Sequence, residues 1–180
     1  MPKPTEHQLG FVKHLQAYAT QENRGALAAL RRGLGKAPGT VPEMFPYVLP
    51  FVSGMKEYDQ DPYFLIAALF GAHPSQADKG NMGETFRAIG TSRGDDTSTE
   101  RRFVALLNAH ADDLPDHLRH AVALARGADV PVNYAQLLRD LHYWTHQDGF
   151  IQREWAEAFW RRVGEQAEGA STDTTAQVAD

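Results

Sequence analysis

The sequence predicts an all-α protein, and three observations carry that reading. No segment sustains the apolar/polar alternation of a half-buried strand between turn clusters. Several segments instead repeat apolar residues at i, i+3, i+4 and i+7, the stripe of an amphipathic helix. Hydrophobic residues make up 42% of the 180, enough to supply a packed core rather than a disordered chain.

Helices are predicted over 6–19, 24–34, 60–72, 81–89, 98–110, 115–126, 133–146 and 149–164. In the second, Leu27, Leu30 and Leu34 share one stripe, Arg32 points nearly opposite, and Arg24 and Arg31 lie on a flank with only Glu22 nearby to neutralise them. The stretch 33–50 holds four prolines and three glycines and reads as a long connection with at most short helical turns. The third helix contains the longest apolar run, 64–70. A polar break over 90–96 follows the fourth, and Thr97 with Glu100 has the form of a capping box opening the fifth. There Phe103, Leu106 and Leu107 form the buried stripe, Arg101 faces away and Arg102 sits at the margin. The sixth sets Arg119 beside Leu118, Ala121 and Val122; the seventh, with Asn133 as N-cap, sets Arg139 opposite Leu137, Leu138 and Leu141. In the last, Ile151, Trp155 and Phe159 form the apolar face, and Arg153 projects with Trp160 on the other side.

The break at 90–96 is the candidate boundary between an N-terminal helical half, 1–96, and a C-terminal bundle of about four helices, 97–164. Residues 165–180 carry no apolar side chain larger than one Val, too little burial to offset ordering, and are expected to be disordered.

Net charge is −5, but Glu165, Glu168, Asp173 and Asp180 fall in that tail without a cation, leaving residues 1–164 at −1. Of 18 cations 13 are Arg, the side chain that grips phosphate through two parallel donors. Arg stripes on a nearly neutral body fit either solvated helix faces or a grip on nucleic-acid phosphates. With no Cys there is no disulfide framework, thiolate zinc site or Cys nucleophile, and an intracellular home is expected. The N-terminus lacks a signal-peptide pattern and the longest apolar run is too short to span a bilayer, so no membrane contact is expected.

Enzymatic signals are sparse. GXXXXGK[ST], GXGXXG and GXSXG do not occur, and GLGKAPG has neither the terminal GK[ST] nor a preceding strand. His142 and His146, four apart on a predicted helix with Asp148 just beyond, are the one potential metal set, the basis of an alternative reading as a metal-dependent hydrolase. HYWTH lacks the glutamate of HEXXH, so neither metal nor cofactor is expected. A helix-turn-helix regulator, its turn near Asp148 and Gly149, is the second alternative; Glu154 and Glu157 make the last helix a poor entrant to a major groove.

The ordered set RGALAALRRGLG, YFLIAALFGAHP, GNMGETFRAIG, ERRFVALLNAHADDLPDHLRHAV and VNYAQLLRDLHYWTHQDGFIQREWAEAFW, spanning about 11–163, resembles the CasB family, the small subunit of the type I-E CRISPR surveillance complex Cascade. The resemblance implies a non-catalytic, cytoplasmic helical subunit, present as two copies beside the other Cascade subunits. It implies a basic surface that steadies the crRNA-guided assembly and the displaced strand of target DNA in the R-loop. Carried over by motif, the contact residues are Arg32, Arg101, Arg102, Arg119 and Arg153, with Lys79 and Arg87 flanking the GNMGETFR element. Arg24, Arg31 and Arg139 join them from the stripes. His142, His146 and Gln147 stand where relatives often carry Arg or Lys.

Overall fold

The structure is a computed structural model that describes residues 3–161, and within them nine α-helices and one 3-10 turn carry the fold. The tail 165–180, expected to be disordered, lies outside the described residues. α1 (Glu6–Thr20) opens on a capping box in which Thr5 Oγ1 accepts from Gln8 N and Gln8 Oε1 accepts from Thr5 N. α2 (Arg24–Arg31) is capped by Asn23, whose Oδ1 accepts from Ala26 N at 3.0 Å. It stops three residues short of the predicted end, where the N–H groups of Arg32, Gly33 and Leu34 donate three residues back, to the carbonyls of Ala29, Leu30 and Arg31, and tighten the last turn; Gly33 lies where a side chain would overlap Met44.

The proline-rich connection is more ordered than its composition implies. Pro42–Met44 form the 3-10 turn and Phe45–Val52 form α3. Pro46 occupies the first turn, where no N–H is needed, and Pro50 forfeits one bond in the last turn. Burial of Val48 and Val52 outweighs that loss.

α4 (Glu57–Ala72) is buried on all sides from Tyr63 to Gly71 apart from a half-buried Leu65, and every side chain there is apolar or aromatic, as in a helix that others surround. α2, α3, α7 (Leu114–Gly127) and α8 (Tyr134–His142) all pack on it, and α1 packs on α2, α3 and α8. α5 (Met82–Arg93) begins at an Asn81–Glu84 capping box and runs through most of the predicted polar break. Gly90 is buried there, not turning. A Cβ on it would lie 2.8 Å from Asp96 Oδ1, so its lack of a side chain lets α6 (Asp96–Leu107) approach. Asp95, not Thr97, caps α6, accepting from Ser98 N at 3.0 Å.

α9 (Phe150–Trp160) lies on α5, and Gly83 permits the contact, because a Cβ there would overlap the Trp155 carbonyl. α5, α6, α7 and α9 enclose Phe86, Phe103, Ile151 and Trp155. The turn at 94–95 joins helices that pack on one another, and α7 and α8 return to α4 and α1, so one apolar core runs through all the described helices. A parallel bridge between Gln76 and Val132 ties the α4–α5 and α7–α8 connections together. No described helix is long and apolar enough to cross a membrane.

Candidate nucleic-acid interface

Ten cations were expected to face outward, and burial divides them. Arg24, Arg31, Arg32, Lys79, Arg101, Arg102, Arg119 and Arg153 are exposed and Arg87 is half-buried. Arg139 is 1% exposed and belongs to the interior. α9 covers the face that the α8 stripe left outward: Arg139 Nη1 donates to Asp140 Oδ1 at 2.7 Å and to Glu154 Oε2 at 3.3 Å. The rings of Tyr143 and Phe150 flank the guanidinium at 5.4 and 5.5 Å. Asp140 also accepts from Trp155 Nε1 at 2.7 Å and from Gln136 Nε2 at 2.8 Å. Burial raises its carboxyl above the ordinary value, and these donors oppose the shift. Arg139 is thus the centre of an α8–α9 clasp and has no phosphate to reach.

The surface cations differ in what they already hold. Arg32 Nη1 donates to Glu43 Oε1 at 2.6 Å, a partner that the 3-10 turn brings back and that the sequence does not place near it. A backbone hydrogen bond and then Arg32 hold the Glu43 carboxyl below its ordinary value. Arg119 pairs with Asp116 one helical turn away at 3.2 Å, an exposed contact of little strength. Arg153 Nη2 donates to the Asp148 carbonyl at 3.0 Å. Arg24, Arg31, Lys79, Arg87, Arg101 and Arg102 form no ion pair among the described residues.

Three hollows show which cations the fold brings together. Arg102 lines a groove of about 470 Å³ between α6 and α7 with His117 and His120, over a floor that includes Phe86, Ala121 and Leu124 and no carboxylate. Arg119 faces the other side of α7, where Lys36 joins it but Asp112 and Asp116 do too. Lys79 shares a shallow hollow of about 630 Å³ with Lys3, Lys13 and Asp78. Lys3, Lys13, His117 and His120 were not singled out from the sequence. The histidines could have been, three apart on one helix, whereas the lysines come from segments that only the fold joins. No hollow among those described unites Arg32, Arg102, Arg119 and Arg153.

Residues 26–160 match the family described as CRISPR-associated protein Cse2. The chain belongs to the Cse2 family. A Cse2 protein of Thermus thermophilus is 33% identical over 160 residues, covering 87% of this chain and 90% of its own length. The crystal structure of M. ruber CasB superposes with a TM-score of 0.74 at 29% identity, covering 90% of this chain and 97% of that one. A chain of a CRISPR RNA-guided surveillance complex superposes equally, TM-score 0.74 at 26% identity, covering 86% and 91%.

In this Cse2-family chain the histidine pair loses its geometric basis as a metal site. α8 ends at His142, so His146 is not one turn along the same helix. His142 Nδ1 meets the Leu138 carbonyl at 2.8 Å and its ring stands edge-on to Tyr63, while His146 faces Phe150. The described residues contain no group of three or more His, Cys, Asp or Glu placed to hold a metal ion. The connection 143–149 is longer than the tight turn of a helix-turn-helix, and Glu154 turns inward to Arg139.

Proposed function

We propose that this chain is the small, non-catalytic subunit of a cytoplasmic type I-E Cascade complex, present as two copies beside the other Cas subunits. Its exposed cations hold nucleic-acid backbone without reading sequence, steadying the crRNA-guided assembly and the displaced DNA strand of the R-loop in antiviral defence. The family membership supports the assembly, and the α6–α7 groove carries the binding reading. It offers the Arg102 guanidinium with the ring nitrogens of His117 and His120, beside exposed Arg101, and no lining carboxylate to occupy the guanidinium. Arg24, Arg31, Lys79 and Arg87 add unpaired charge, and Arg32, Arg119 and Arg153 can exchange exposed partners for phosphate at small cost. Sequence reading then falls to guide pairing, as in RNA-guided recognition generally.

The test is an assembled complex carrying Arg101→Glu and Arg102→Glu, followed by protection of the displaced strand at several salt concentrations. The variant is expected to keep its melting temperature and its crRNA, to expose the displaced strand, and to lose about one unit of salt slope per missing phosphate contact. Unchanged strand protection and an unchanged salt slope would refute the backbone-holding role.

A further inference from the structure

The α6–α7 groove has a second candidate occupant within the same chain. The end of α9 connects to it through the core: Phe159 stacks on buried Phe103 with centroids 4.5 Å apart, Trp160 lies 5.6 Å from the same ring, and Phe103 contacts buried Phe86 at 5.1 Å. Phe86 lines the groove, and Arg102 adjoins Phe103 in sequence and lines it too. The chain leaving Trp160 therefore starts two side chains from the groove wall. Beyond Arg162 it carries Glu165, Glu168, Asp173 and Asp180 and no further Lys or Arg. At ~3.3 Å per extended residue, Glu165 can reach about 17 Å from Trp160, and the later acids further.

We propose that this acidic segment, residues 165–180, docks in the Arg102–His117–His120 groove and competes there with nucleic acid, acting as an intramolecular electrostatic brake. Three observations favour it over an unrelated partner: the charge of Arg102 against four acids, a groove without its own carboxylate, and a tether that begins two core side chains from its floor and is long enough to reach it. A short tether gives an effective concentration of order mM, so individually weak exposed ion pairs suffice. The brake would keep an unassembled subunit off stray RNA and DNA and yield to a strand presented in the assembly. The competition half rests on the function proposed above; the docking half does not.

The chain has no cysteine, so Ser171→Cys supplies a single site for a nitroxide label on the full-length protein. Docking predicts selective broadening of the His117 and His120 ring signals, lost when Arg102 is changed to Gln or salt is raised to about 0.5 M, where screening is ~4 Å. In parallel, Glu165→Gln, Glu168→Gln, Asp173→Asn and Asp180→Asn are combined in the full chain. Binding of a mixed-sequence 30-nucleotide single strand is expected to tighten by about three- to tenfold at 50 mM salt, and the gap to close by about 0.5 M. Tighter binding without broadening at His117 and His120 would reduce the effect to bulk charge and overturn docking. Broadening seen when labelled-tail protein is mixed with an isotope-enriched unlabelled copy would assign the groove to a second molecule's tail and likewise overturn it. Broadening with no strand binding by either protein would sustain docking while removing the nucleic-acid reading.

Discussion

Replacing Arg139 by alanine separates the clasp from the surface cations. The change removes both bonds from Nη1 and leaves Asp140, whose side chain is 1% exposed, with only Trp155 and Gln136 as donors. Glu154, at 18%, can turn toward water. Removing one partner of a buried pair costs about 3–5 kcal/mol. The lower end applies, because Arg139 Nε and Nη2 have no partner among the described residues and the pair starts with its own desolvation incompletely offset. About 3 kcal/mol lowers the melting temperature of a chain this long by roughly 6–12 °C. The pH dependence has a definite sign. Asp140 titrates above its ordinary value in the folded state, and losing the guanidinium raises it further. Below the ordinary Asp range the carboxyl is neutral whether folded or unfolded and nothing is orphaned; as pH rises through the folded value the penalty appears. Thermal melts from about pH 3.5 to pH 7.5 should show a deficit that grows as pH rises and shrinks on acidification. At temperatures where the variant is folded, its nucleic-acid binding should match the parent. A neutral-pH melt within about 2 °C of the parent, or a deficit that grows as pH falls, would refute the clasp.

Gly83→Ala should weaken the α5–α9 contact, since the new methyl overlaps the Trp155 carbonyl and meets Ala158 Cβ at 2.9 Å; a loss of about 1–3 kcal/mol should appear as a lower urea midpoint. Asn81→Ala removes the cap on Gly83 N and the bond from Nδ2 to the Glu154 carbonyl at 3.3 Å, so urea titration should show a loss of about 1 kcal/mol, most of the cap being restored in Asn81→Asp.

The helices were legible because their stripes are local, and most predicted spans survive with shifted ends. α3 was not, because Pro and Gly counts report backbone preference and say nothing of Val48 and Val52 reaching a core. The 90–96 break misled for a related reason: Gly90 reads as a turn residue until a second helix is laid against it. Arg139 shows the limit for the site. A one-helix projection gives the side opposite the leucines to solvent, and only α9, supplying Glu154 and Trp155, reveals that side as interior. Arg101 and Arg102 were placed correctly at the surface because nothing folds over them among the described residues, whereas the partner of Arg32 arrives from Glu43 by a turn that no spacing rule foresees.

The placement of α4 constrains the order in which this protein can complete itself on the ribosome. A helix apolar nearly all round emerges with α1, α2 and α3 already made, yet its α7 and α8 contacts come from residues 114–142. At ~5–20 residues per second the nascent chain carries that uncovered surface for several seconds before α8 is available. Stalling or truncation between α4 and α8 would therefore release a sticky fragment in place of a working half, and the open flank of α4 is where a chaperone would bind.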